Sequence, residues 1–132
     1  MAISARKSNL AYMDRVILST LETWCICDAR HYQFAFHEAI INAIQARENC
    51  MDLMDDNVYL SLELEGDILR GEVKDSFGGN NQKATKEGHD QWCENGRGLM
   101  LMSNFVDQLD VFNNQQGGFT VKLIKRNAVE RS

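Results

Sequence analysis

The run FAFHEAIINAIQA, Phe34 to Ala46, constrains this chain more than any other stretch. Wound as a helix it is apolar almost all the way round, with Phe34, Ala35, Phe36, Ala39, Ile40, Ile41, Ala43 and Ile44. A helix of that kind is normally packed on more than one side. Glu38 and Asn42 interrupt it. Four residues apart, they lie one above the other on a helix and can face a single ligand. A buried polar group without a partner costs roughly 2–7 kcal/mol by transfer data. The pair must therefore bond neighbouring backbone, look out through a gap in the packing, or meet a ligand.

A helix this apolar needs a second layer, and the flanking sequence supplies one. Asn9 to Trp24 spaces Leu10, Met13, Ile17, Leu21 and Trp24 three and four apart, an amphipathic helix with Asp14, Arg15 and Glu22 on its other face. Met1 to Ser8 is expected to be loose or to pair as a sheet edge. Asp28 is the predicted N-cap of the organising helix, which runs on to Glu48 or Cys50. Met51 to Asn57, with Asp52, Asp55 and Asp56, reads as a solvated acidic connection.

Val58 to Glu65 then alternates strictly, Val58, Leu60, Leu62 and Leu64 against Tyr59, Ser61, Glu63 and Glu65, the pattern of a half-buried strand. Gly66-Asp67 signals a turn, and Ile68 to Asp75 returns as a second strand. Parity puts Asp75 on the face of Leu69, Gly71 and Val73, so an acid is aimed inward at a strand end and needs donors. Ser76-Phe77-Gly78-Gly79 should reverse the chain.

Asn80 to Asn95 is polar and without period. A loop of that length is usually functional or disordered until something binds. Gly96-Arg97-Gly98 precedes Leu99 to Val106, a short apolar helix; glycines at a helix entry leave N–H groups open to an anion. Leu109 to Phe112 and Phe119 to Ile124 read as two further strands across a turn-rich NNQQGG, and Lys125 to Ser132 as a fraying tail. The element order implies an α+β two-layer sandwich, a mixed or antiparallel sheet with helices on one face.

At 132 residues the chain suits a single domain over 1–132, and its 44% hydrophobic and 25% charged content is ordinary for a soluble globular protein. A net charge of −5 argues against a nucleic-acid surface as its main purpose. No run is apolar enough to span a membrane, and MAISARKSNLAYMDR has no apolar core of a signal peptide, so a cytoplasmic location without membrane partners is expected. Cys25, Cys27, Cys50 and Cys93 show no disulfide framework. Cys25 and Cys27 with His31 and His37 do not match the recurring ligand spacings of zinc sites, and free thiols are the expectation. His37 points to a different face from Glu38, so the two are not expected to act as an acid–base pair.

Three signals now stand in one order: Glu38 and Asn42 on a helix, Asp75-x-x-x-Gly79 at a strand end, and Gly96-x-Gly98-Leu99 opening a helix. In that order the chain resembles the histidine-kinase-like ATPases, the GHKL or Bergerat-fold superfamily. HEAIINA matches the N box, VKDSFGG the first glycine box and NGRGLMLM the second. The resemblance covers roughly Tyr32 to Arg126. GRGLMLMSNFVDQLDV followed by GGFTVKLIKR looks most like the small anti-sigma-factor serine kinases of bacterial partner-switching systems.

The resemblance implies ATP with Mg²⁺, held between the helices and a lid at about 76–96. It makes Asn42 the Mg²⁺ ligand, which suits a hard cation that prefers oxygen. Asp75 accepts from the adenine amino group, Gly79 lets backbone approach the nucleotide, and Gly96, Arg97 and Gly98 shape the lid hinge and phosphate cradle. Glu38 takes the place of the general base, accepting the proton of a serine hydroxyl. The implied partners are a STAS-domain anti-sigma antagonist and a sigma factor; a homodimer is compatible with the resemblance.

Two positions depart from the family pattern. Phe77 stands where the first glycine of the first box belongs, and either closes over the adenine pocket or gives the turn another shape. Asn80 replaces an apolar residue. The expected function is thus a serine/threonine kinase acting on the antagonist. The alternative is a partner-binding module of the same fold without phosphoryl transfer. A sensor-kinase catalytic domain fits less well, because the chain has no room for a phosphoacceptor helical hairpin.

Overall fold

The alternation of Val58 to Glu65 is realised as a strand paired in register with the one that follows it. The structure, a computed structural model, describes residues 1–49, 56–77, 102–113 and 118–130. In chain order these form β1 (Ala2–Ser4), a 3₁₀ turn at Lys7–Asn9, α1 (Leu10–Thr23), α2 (Ala29–Glu48), β2 (Asn57–Glu65), β3 (Ile68–Lys74), β4 (Gln108–Asn113) and β5 (Phe119–Lys125). The sheet runs β1-β2-β3-β5-β4, antiparallel at every junction. Of the two sheet types expected, the antiparallel one is present, and the architecture is the α+β sandwich. Met1 to Ser8 supplies the edge strand rather than a loose end, since Ala2 to Ser4 pair with Asn57 to Tyr59.

β2 and β3 meet at Gly66-Asp67, with Leu64 opposite Leu69 and Glu65 opposite Ile68. Gly66 takes φ +61°, the left-handed conformation that a two-residue hairpin turn asks of it. Period two then sorts the side chains. Val58, Leu60, Leu69, Gly71, Val73, Val121 and Leu123 are buried, whereas Arg70 and Lys74 face water. The helices cover the apolar face. Met13, Ile17 and Leu21 of α1 join Tyr32, Ala35, Phe36, Ala39, Ile40, Ala43 and Ile44 of α2 in one core with it.

One glycine fixes how closely α2 lies on the sheet. A Cβ on Gly71 would meet the Tyr32 hydroxyl and, at 2.6 Å, the Phe36 ring. With no side chain there, both aromatics drop onto β3, and the Tyr32 hydroxyl donates to the Leu123 carbonyl at 2.7 Å. Leu123 is the residue opposite Gly71 in β5. Burial pushes the Tyr32 hydroxyl above its ordinary titration range, which keeps it a donor.

Two expectations are corrected. Asp28 does stand at the N-cap of α2, but at φ +54° and with no side-chain capping bond. Its carbonyl oxygen accepts from the His31 and Tyr32 N–H groups instead. The tight passage from α1, in which Cys25 is also left-handed at φ +57°, favours Asp28 for its tolerance of that backbone. Residues 125–130 do not fray. Ala128 is fully buried, its N–H donates to the Asp67 carbonyl, and Val129 bridges Ile26. The Cys27 N–H donates to the Ala128 carbonyl, and the Val129 N–H to Asp67 Oδ1 at 3.0 Å.

Cys25 and Cys27 are free thiols. Among the described residues, no helix is long and apolar enough to cross a membrane.

Candidate functional site

The direction of α2 along the sheet decides which residues can share a site. Its first turn lies beside the tail clamp at Asp67, the start of β3. Tyr32 stands over Leu123 and Gly71 in mid-sheet. Its last turn sends Arg47 to Asp56 at 3.5 Å, just before β2, where Tyr59 pairs with Lys74 at the end of β3. So α2 runs alongside β3 in the same sense. A strand rises about 3.3 Å and a helix about 1.5 Å per residue, so Asp75 lies roughly 13 Å beyond Gly71 and Asn42 roughly 9–15 Å beyond Phe36 and Tyr32. Asn42 and Asp75 are therefore about level, with Glu38 one turn behind.

Angular position supplies the second coordinate. Successive residues turn by about 100°, so Glu38 and Asn42 share a flank of α2, with Glu38 about 100° round from His37. His37 faces α1, where its Nδ1 lies 2.8 Å from Asp14 Oδ2. The flank carrying Glu38 is also that of His31 and Phe34. His31 stacks on Phe105 at 5.0 Å between ring centroids, and Phe34 meets the same ring edge-on at 5.6 Å. The half-buried Glu38 and Asn42 thus look away from α1, toward the side where residues 102–106 pass. Residues 102–104 are helical, as expected of the segment after the second glycine box.

At the end of β3 Asp75 is 5% exposed, pointing inward as strand parity requires. Its Oδ1 accepts two backbone N–H groups, from Phe77 at 3.0 Å and from Phe119 at 3.3 Å. Burial nevertheless dominates and pushes the Asp75 carboxyl up to about 6, against those two bonds, which pull it down. On α2, the Asn42 Nδ2 is buried and finds no partner among the described residues. An unpaired buried amide nitrogen costs about 1–3 kcal/mol, so this end of the helix carries a polar group that the described residues do not satisfy.

A model of the histidine kinase-like ATPase domain family matches residues 3–125, from within β1 to the last residue of β5. The chain belongs to that family. Comparison with curated proteins returns no match. Membership implies a nucleotide site, typically with Mg²⁺.

The residues present fit such a group. The orphaned Asn42 amide can turn its oxygen into the place its nitrogen holds, because the two ends are nearly the same shape. Oxygen is what a hard cation takes. Asp75 is a buried acceptor for an amino group. In this histidine kinase-like ATPase domain Phe77 is 1% exposed and part of the core, and its N–H folds back onto Asp75. Gly79, Gly96, Arg97 and Gly98 lie outside the described residues, as does the lid apart from Ser76 and Phe77. Among the described residues, no three His, Cys, Asp or Glu side chains gather as a metal set.

Sequence reasoning missed the groups that hold Asp75. Phe119 reaches it from 44 positions away, and the Asp75 N–H returns a bond to the Phe119 carbonyl at 3.0 Å. The paired glycines ahead of β5 were the available signal.

Proposed function

We propose that this chain is an ATP-dependent regulator of the anti-sigma-factor type. Its reaction is phosphoryl transfer to a serine or threonine of a STAS-domain antagonist, and its other partner is a sigma factor. The observation that carries the reading is the shared flank of α2, where Asn42, its amide nitrogen without a partner among the described residues, is about level with the buried Asp75 and Glu38 stands one turn behind. ATP with Mg²⁺, when bound, supplies the phosphoryl group and the charge that stabilises its transfer. Asp75 accepts from the adenine amino group and so selects the base. Asn42 lends its amide oxygen to the metal. Glu38, half-buried on the side of α2 away from α1, accepts the proton of the acceptor hydroxyl at its carboxylate oxygen.

The test is a calorimetric titration with ATP, with and without Mg²⁺, followed by transfer from labelled ATP to a STAS-domain antagonist. Micromolar to millimolar binding that strengthens with Mg²⁺, and label appearing on a serine or threonine, are expected. Absence of binding at millimolar ATP defeats the reading.

The second reading, a partner-binding module without transfer, is favoured by Phe77. Its ring occupies the core at a turn where the family carries glycine. Tight binding of the antagonist with no label transferred would select it.

A further inference from the structure

We infer that Gly118 is a positioning residue for Asp75, a backbone notch in which the base-selecting carboxylate is set. The inference rests on the nucleotide reading above for what Asp75 selects, but not for how Asp75 is held. Gly118 is buried, immediately ahead of β5, with φ +82°. A Cβ there would collide with the Asp75 carbonyl oxygen and stand 2.7 Å from both Asp75 Oδ1 and the Ser76 Cα. Two of these three atoms are backbone and the third is fixed by two hydrogen bonds, so no flexible side-chain tip can swing aside. The contrast with Gly71 is informative, because the nearest atoms there are all side-chain atoms of Tyr32 and Phe36.

The missing side chain lets the first residue of β5 close on the end of β3 in both directions. Phe119 N–H donates to Asp75 Oδ1 at 3.3 Å, and Asp75 N–H donates to the Phe119 carbonyl at 3.0 Å. Phe77 N–H donates to the same Oδ1 at 3.0 Å. Two segments distant in sequence, 75–77 and 118–119, thereby converge on one carboxylate oxygen. A side chain at position 118 would push Phe119 off Oδ1 and rotate the carboxylate. Selection between an amino group and a carbonyl at the same place on a purine depends on that orientation.

Gly66 provides the control. It is also left-handed, at φ +61°, but a Cβ there meets nothing within 4 Å. Gly66→Ala therefore carries the backbone strain of a left-handed alanine without the collision. Two measurements on the full chain test the inference: ATP and GTP affinities, and the titration of the Asp75 carboxyl by NMR without nucleotide.

Gly118→Ala is expected to weaken ATP by on the order of tenfold or more, the scale of one charge-assisted hydrogen bond. GTP should change little, so the preference for ATP falls toward that of Asp75→Asn. The Asp75 midpoint should move upward, because the Phe119 N–H donor is lost, while Gly66→Ala keeps both wild-type values. A folded Gly118→Ala chain with wild-type selectivity and titration overturns the inference. If that variant does not fold, the wild-type Phe119 amide proton decides instead. Its shift should follow the Asp75 titration, and a silent Phe119 amide overturns the inference. Wild-type protein that binds no adenine nucleotide, with the Asp75 midpoint still displaced in Gly118→Ala, sinks the nucleotide reading and leaves the positioning role standing.

Discussion

The middle of the sheet and its Asp75 end are built with the same device, a glycine that admits a neighbour, and they use it for opposite purposes. At Gly71 the space is filled by Tyr32 and Phe36, and the one polar atom brought in, the Tyr32 hydroxyl, bonds the Leu123 carbonyl. At Gly118 the space is filled by a carboxylate that burial pushes up to about 6, one helix flank away from an amide nitrogen with no partner among the described residues. The mid-sheet contact is satisfied and contributes stability. The Asp75 end holds groups that a well-folded core would avoid, which is how binding sites commonly differ from the scaffold that carries them.

If that contrast is right, substitutions at the two places should separate cleanly. The largest effects are expected from Phe36→Ala and Glu38→Ala, two residues apart on α2. Removing the Phe36 ring should cost about 3–5 kcal/mol of unfolding free energy and leave the ATP affinity of the remaining folded protein near wild type. Denaturant unfolding alongside calorimetry reads both. Glu38→Ala should do the reverse, leaving unfolding unchanged and lowering phosphoryl transfer by about 10²–10⁴-fold with ATP binding intact. Equal stability losses for the two variants would erase the distinction.

The next effect in size is on pH. The Asp75 carboxyl rises from an ordinary 3.8 to about 6 in the folded protein. Between those values the folded state holds a proton that the unfolded state has released. The contribution of this group to stability therefore falls by about 3 kcal/mol as pH rises from about 4 through about 6. Nucleotide affinity should run the other way across the same window, since the ionised carboxylate is the better acceptor for an amino group. Asp75→Asn isolates the effect. It should match wild type in stability near pH 4, exceed it near pH 7, and bind ATP more weakly by on the order of tenfold. Parallel stability curves would remove the buried carboxylate from the account.

Tyr32→Phe should give the smallest change, about 1 kcal/mol of stability for the lost bond to Leu123. ATP affinity should not move, and a drop in it would mean that the two regions are coupled through α2.

Much of this was legible in residue order because it depends on side-chain period. Alternation from Val58 to Glu65 gave the strand, parity carried Asp75 inward, and spacing of four put Glu38 and Asn42 on one flank. What stayed hidden depends on backbone groups meeting across long separations. The grip of Phe119 on Asp75 is made by N–H and C=O groups that every residue carries. So is the hold of Asp67 and Cys27 on Ala128, in a stretch whose polar composition suggested a loose end. Asp28 misled for a related reason: its type suits a cap, but its left-handed backbone leaves the carbonyl to do the bonding.

The tail clamp has a practical consequence for anyone attaching a reporter. Residues 127–130 are tied down beside Asp67, at the opposite end of β3 from Asp75. At about 3.3 Å per residue, the two ends of that strand are roughly 25 Å apart. A dye attached beyond position 130 would start from the Asp67 end of β3, remote from Asp75 and within energy-transfer range of a fluorescent ATP analogue bound beside it. Dissociation could then be followed in real time without altering Glu38, Asn42 or Asp75.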